Sequence, residues 1–265
     1  MTEERLFQAR LRMLPPIRRA RLWRLYAENG GRFLDFWMDG GRSILGAKGT
    51  GLGTAAKAAV DMGLTRPFPS VREARLEKSA LKSYPGYAAL RIYCNEERAR
   101  AAAAAVSPNA PLAVLKPFAE HLPAQKARLA LPLLPCPRAL APAILLFEES
   151  SDAAAADKAG FGGDLAPPLA LECAHRALCE LEKFRLTYNE VIWKRSDRRL
   201  KDYFERRGPY LFPRCAEAAY GSLFEAALGA GALLSPAFEE PSIIPGDFDD
   251  GELKKLQAAL AAAGA

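Results

Sequence analysis

The chain has 265 residues, 50% of them hydrophobic and 26% charged. That balance suits a packed globular protein and excludes a disordered tail, a collagen-like rod or a coiled coil as the whole molecule. Its 37 basic and 31 acidic residues give a net charge of +6, a mild bias toward acidic partners and no more.

The opening Met1-Thr2-Glu3-Glu4-Arg5 is charged and lacks an apolar run, so no secretory leader is expected. No apolar stretch reaches the roughly 18 residues of a membrane span. The cysteines, Cys94, Cys136, Cys173, Cys179 and Cys215, are odd in number and scattered. That pattern argues against a disulfide framework and for free thiols in the cytoplasm. Cys173, His175 and Cys179 fall in a helical pattern at offsets that do not share one face, with no second Cys/His pair nearby. No metal is therefore expected, and His121 reads as a loop residue.

In chain order, Glu3 to Tyr26 mixes charges with Leu6, Phe7, Leu11, Leu22 and Trp23, and Pro15-Pro16 splits it in two. The second piece carries Arg18, Arg19, Arg21 and Arg24. A basic amphipathic segment can lie on an anionic membrane or on nucleic acid. The favoured reading is a docking arm, with neither nucleic acid nor membrane as partner. Arg24 to Trp37 reads as strand, turn, strand, because Asn29-Gly30 can supply positive φ at a hairpin turn. The glycine-rich run Gly46 to Thr54 lacks the lysine spacing of a phosphate-binding P-loop and is read as a turn before a helix reaching Met62.

Ser70-Val71-Arg72-Glu73 is a capping-box sequence, predicting a helix to about Ser83 that stops before Pro85. Ala88 to Tyr93 reads as a strand and Glu96 to Val106 as an alanine-rich helix. Leu129 to Leu134 and Ala143 to Phe147 read as buried strands. Ser150 to Gly163, small and polar, reads as a loop or linker. Pro167-Pro168 opens a long helix towards Phe184. Val191 to Arg207 reads as a charged helical stretch. A helix from about Cys215 to Leu228, short strands at 232–234 and 242–244, and a last helix from about Asp249 complete the chain.

In this order the pieces resemble the class III aminotransferases, pyridoxal-phosphate enzymes that include glutamate-1-semialdehyde aminomutase. The likeness lies in two blocks. The first runs from Tyr26 to Ala105 and holds Gly30-Gly31-Arg32-Phe33-Leu34-Asp35-Phe36 and Gly41-Arg42-Ser43-Ile44-Leu45-Gly46, with Ala47 where the family has His. The second runs from Asp164 to Ala262 and opens with Asp164-Leu165-Ala166-Pro167-Pro168-Leu169-Ala170. The chain is shorter than a full family member, and the shortfall falls in the middle, so the resemblance implies a truncated and degenerate relative.

The resemblance implies an α/β fold. A reduced fold-type I large domain would occupy residues 63–184. The N-terminal arm and hairpin (1–62) and the C-terminal segment (185–265) would form a small α+β domain. It also implies where a cofactor would sit. Pyridoxal phosphate needs a Schiff-base lysine, a carboxylate on the pyridinium nitrogen, and amide N–H groups at a helix start for its phosphate. The strand and Asn95 of the family's phosphate loop are retained, but its Ser-Gly-Thr cradle is replaced by Glu96 and Glu97, which repel a phosphate. Glu148 stands at a strand end in the place of the pyridinium-pairing Asp; the competing reading is a solvated acid ending a buried strand. Lys158, in Asp157-Lys158-Ala159-Gly160-Phe161-Gly162-Gly163, is the only Schiff-base candidate, although nothing in its loop context lowers the pKa of its ammonium.

The expectation is a non-catalytic aminotransferase-like protein with no bound cofactor. It would act as a binding or scaffold subunit, as a homodimer or in a heteromer with a full-length aminotransferase. One alternative is a minimal pyridoxal-phosphate aminotransferase or aminomutase using Lys158, with the cofactor bound if the site is intact. A second is a basic-surface binder of nucleic acid or membrane.

Overall fold

A computed structural model describes residues 3–47, 51–109, 111–122 and 127–264. The elements in chain order are α1 (Glu3–Leu11), β1 (Ile17–Arg21), β2 (Arg24–Ala27), β3 (Arg32–Asp35), α2 (Leu52–Asp61), α3 (Val71–Ser83), β4 (Ala89–Tyr93) and α4 (Glu96–Val106). Next come β5 (Leu112–Leu115), β6 (Leu129–Pro132), β7 (Ala143–Phe147), α5 (Ser150–Lys158), α6 (Pro168–Thr187) and α7 (Glu190–Leu200). The last are β8 (Phe204–Arg207), β9 (Tyr210–Pro213), α8 (Tyr220–Gly229), β10 (Ala232–Leu233), β11 (Ser242–Ile243) and α9 (Asp250–Ala262). No helix among the described residues is long and apolar enough to cross a membrane. The chain divides into two compact units, Met1–Gly49 with Arg185–Ala265, and Thr50–Phe184.

The Thr50–Phe184 unit is built on a four-stranded sheet of order β4-β7-β6-β5. β5 and β6 are parallel; β7 runs antiparallel to both its neighbours. Side chains alternate across a strand, and here both faces are apolar. Leu90, Ile92, Ala130, Ile144 and Leu146 point to one face, where Leu76 and Ala80 of α3 and Leu171, Ala174 and Leu178 of α6 cover them. Tyr93, Leu129, Leu131, Leu145 and Phe147 point to the other, under Ala99, Ala102 and Ala103 of α4 and Ala153 and Ala156 of α5. The alanines let the helices approach the sheet closely, which is why an alanine tract forms an inner helix face here.

The other unit holds two sheets. β1-β2-β3-β10 is antiparallel up to β3, and β10 joins parallel to β3. β11-β9-β8 is antiparallel throughout. The Asn29-Gly30 turn forms with Gly30 at φ +84° and the Asn29 side chain accepting from Gly31 N–H.

Three predicted elements are corrected. Ser150 to Gly163 is not a linker: its first nine residues are α5, because Asp152, Ala153 and Ala156 share a face that packs inward. Only the glycines after it turn, with Gly160 at φ +82° and Gly163 at φ +105°. Val191 to Arg207 is not one helix; α7 ends at Leu200, and Phe204–Arg207 pairs with β9 through a turn at Gly208. The arginine-rich piece from Ile17, whose secondary structure the sequence left open, forms the edge strand β1, paired with β2. The helix expected from Cys215 starts only at Tyr220, after a short 3-10 turn at Glu217–Ala219. Lys48, Gly49 and Thr50 of the glycine-rich run lie outside the described residues.

Candidate functional site

The cofactor loop implied by the sequence maps to the end of β4 and the start of α4. Asn95 has extended backbone (φ −153°) and its Oδ1 accepts the Arg98 N–H at 2.8 Å, an ordinary helix N-cap. Glu96 and Glu97 fill the first turn, and Glu96 holds Arg100 at 2.7 Å.

A residue far along the chain completes this end. Asp164 Oδ2 accepts the Cys94 N–H at 3.1 Å, and Oδ1 accepts from Arg98 Nε at 3.1 Å. Its backbone is fixed by its N–H donating to the Ile92 carbonyl at 2.8 Å. Gly163 makes that approach possible: its φ is +105°, and a Cβ there would sit 3.3 Å from the Ile92 oxygen. Burial would raise the Asp164 carboxyl, but the Cys94 amide and thiol and the Arg98 guanidinium outweigh it and hold the carboxyl below the usual range. The same carboxylate, added to partial burial, pushes the Cys94 thiol up and away from thiolate reactivity.

Further contacts tie this segment to β4. Tyr93 Oη donates to the Phe161 carbonyl at 2.7 Å, and burial pushes its phenol up to about 12. The Arg98 guanidinium lies 5.1 Å from the Phe161 ring centre. Arg91 grips Asp157 with a two-pronged fork, at 2.8 and 2.7 Å. A groove of about 430 Å³ runs alongside, walled by Glu73, Glu77, Arg91, Asp157 and Asp164.

The other two candidates do not join Asn95 in one cluster. β4 and β7 are antiparallel, with Ala89 opposite Phe147 and Tyr93 opposite Ala143. Asn95 leaves one end of that ladder and Glu148 leaves the other, so at about 3.3 Å per residue roughly 20 Å separates them. Glu148 is exposed, and its N–H donates to the Arg128 carbonyl. Lys158 is the exposed last residue of α5, beside the Asp157 that Arg91 holds, and has no ion pair among the described residues.

Asp164, Phe161 and the Arg91–Asp157 pair were not legible as a group in sequence. Arg91 and Asp157 lie 66 positions apart, so no spacing rule joins them. His175 instead sits between two helices. Ser79 Oγ lies 2.9 Å from the Arg75 carbonyl and 2.7 Å from His175 Nδ1, while Cys179 Sγ is 3.9 Å from the ring. Among the described residues no group of three or more His, Cys, Asp or Glu is placed to hold a metal.

Comparison with known proteins gives two results. In sequence, a protein of Treponema pallidum (strain Nichols), itself uncharacterised, is 30% identical over 278 residues, covering 89% of this chain and 90% of its own. An uncharacterised protein of Borreliella burgdorferi is 45% identical over 58 residues, 22% of each chain. No known protein-family profile matches the chain. In structure, an omega-transaminase from Sphaerobacter thermophilus superposes with a TM-score of 0.70 at 12% identity, over 99% of this chain and 97% of its own. The ornithine aminotransferase PY00104 of Plasmodium yoelii gives 0.67 at 14%, over 99% of each. The N-acetylornithine aminotransferase of Stenotrophomonas maltophilia K279a gives 0.67 at 14%, over 93% of this chain and 95% of its own. At these identities the likeness establishes the fold, which is that of the class III, fold-type I aminotransferases.

Proposed function

Because this chain belongs to one family with the Treponema pallidum protein and carries the class III aminotransferase fold, we propose that it is a non-catalytic form of that fold, kept as a binding or scaffold subunit. One observation carries the reading: the Asp164 carboxylate stands beside the start of α4, accepting from the Cys94 N–H just ahead of the helix and from the Arg98 Nε on its first turn. A helix start offers its free amides to an anion, and here the chain sets a carboxylate of its own beside them. Asn95 takes the Arg98 N–H, and Glu96 and Glu97 add two negative charges. A phosphate dianion brought there would meet three carboxylates. The placement of Glu148 at the far end of the β4–β7 ladder also supports the reading, since one pyridine ring cannot reach both places. These residues do not fit pyridoxal phosphate at this site.

A subunit without chemistry acts through surface. Val60, Met62, Phe68 and Val71 are exposed around the end of α2 and the start of α3, an apolar set that supports association as a homodimer or with a full-length aminotransferase. Five cysteines free of disulfides support a reducing compartment such as the cytoplasm.

The test is to mix the purified full chain with equimolar pyridoxal phosphate. We expect no absorbance band of lysine-bound pyridoxal and no pyridoxyl mass on any lysine after borohydride. Stoichiometric labelling of Lys158 would overturn the proposal and favour the minimal enzyme.

A further inference from the structure

A large open groove of the Met1–Gly49 and Arg185–Ala265 unit has no role in the reading above. It holds about 1170 Å³. Its walls are the segment after α1, β3, the end of α8 and the exposed side of α9. The apolar lining comes from Met13, Leu14, Phe33, Leu228 and Ala259. Met13 is 45% exposed, unusual for a thioether with nothing to cover it. At the turn out of α8, Gly229-Ala230-Gly231 presents almost bare backbone, so another chain can come close.

The rim is charged, and mostly of one sign. Arg12, Arg32 and Lys255 stand on it against the single acid Glu225. Arg12 and Lys255 are exposed and make no ion pair among the described residues. Arg32 shares Glu252 at 3.3 Å, but Glu252 is already held by the two-pronged fork of Arg24, and Arg32 stays 52% exposed. The basic surface extends past the groove. Between Arg12 and Arg32 the chain carries four more arginines and one acid, Glu28. Every residue of β1, which follows Pro15-Pro16 and forms the sheet edge, is exposed.

We propose that this groove is the docking site for an acidic, amphipathic segment of a partner protein. Apolar side chains of the segment seat on Phe33, Leu14 and Met13, and its carboxylates meet Arg12, Arg32 and Lys255. Charge complementarity selects the acidic partner, and the apolar lining demands more than a bare polyanion. The volume and the open face select a chain segment over a small molecule. Ligand pockets hold about 300–1,000 Å³ and enclose most of their guest, whereas this groove is larger and open along its length. The site lies in a different unit from α4, so the inference goes beyond the non-catalytic reading and stands whether or not that reading holds.

The test is fluorescence anisotropy of the full-length protein against a peptide array. One set alternates Leu or Phe with Glu or Asp, a second replaces the acids by Lys, and a third replaces the apolar residues by Ser. We expect the first set alone to bind, with an affinity that falls as salt is raised. Arg12→Glu with Lys255→Glu should weaken it at least about tenfold, the effect of losing about 1.4 kcal/mol. Ala258→Trp, on the exposed side of α9, should block the groove and abolish binding while the melting temperature stays unchanged. Failure of every acidic amphipathic peptide would overturn the proposal. So would equal binding of the Ser-substituted set, binding indifferent to both variants, or saturable binding of a free fatty acid with no peptide bound.

Discussion

Asp35 and Asp164 both accept backbone N–H groups, yet their carboxyls move in opposite directions. Asp35 receives Trp37 N–H at 2.9 Å and Met38 N–H at 2.8 Å, both on Oδ1. Burial dominates over those two bonds, so its carboxyl is pushed up to about 6. Those two bonds fold the chain into a turn whose Met38 and Asp39 sit at φ +50° without being glycine. The folded state therefore holds the Asp35 proton more tightly than the unfolded chain does. Stability from this group is full below the unfolded value near 4 and declines as pH rises through about 6. Asp35→Asn keeps an acceptor oxygen for both N–H groups and removes the charge. Denaturant midpoints from pH 4 to 8 should show the variant at least as stable as the parent at pH 8, with the decline across pH 4–6 gone. Asp164 has the reverse sign. Its lowered carboxyl contributes stability above the ordinary carboxylate range, lost as pH falls through the depressed value. Asp164→Ala, measured by urea unfolding at pH 7, should cost about 2 kcal/mol, the usual loss when a charge-assisted hydrogen-bond set is deleted.

Elements that depend on neighbours in sequence follow the local rules closely. β4 and α4 occupy the stretches that the strand and helix patterns mark, and α3 ends at Ser83, ahead of Pro85. The capping box placed at Ser70 is only half made, with Ser70 Oγ accepting from Arg72 N–H at 3.3 Å instead of from Glu73. The complete box lies at α9, where Asp249 Oδ1 accepts the Glu252 N–H at 2.7 Å and Glu252 accepts the Asp249 N–H at 3.1 Å. Glu252 also receives both prongs of Arg24, at 2.9 and 2.8 Å, so one carboxylate closes a helix end and pairs with a strand. Burial opposes its charge, but Arg24 and the Asp249 amide outweigh it and lower its carboxyl. Glu252→Ala leaves Arg24, 13% exposed, facing Asp247 alone and opens the box. Thermal and urea unfolding at pH 7 should register a loss of about 3 kcal/mol. Glu252→Gln keeps the cap geometry and should lose less.

At the scale of the molecule, the Thr50–Phe184 unit carries its own sheet with a buried layer on both faces. Residues 50–184 expressed alone should give a cooperative melt and dispersed amide resonances, whereas a molten fragment would show that the unit depends on the rest of the chain. The class III aminotransferase likeness was readable from an ordered series of weak motifs, and so were most strands, because apolar alternation and turn glycines act over a few residues. Three features were unreadable. Helix α5 escaped notice because alanine and serine mark loops and inner helices alike until a sheet is present to bury one face. The meeting of Asp164 with Cys94 and Arg98 joins positions about 70 apart, which no local pattern encodes. The distance between Asn95 and Glu148 follows only from β4 and β7 running antiparallel. Residue types and short spacings sufficed for most local elements, since propensity, capping and alternation are short-range forces, while the fold class came from the family resemblance that the ordered motifs carry. Whether an amine, an acid and a helix start converge is a matter of strand direction and loop path, and those are set by long-range packing of the whole chain.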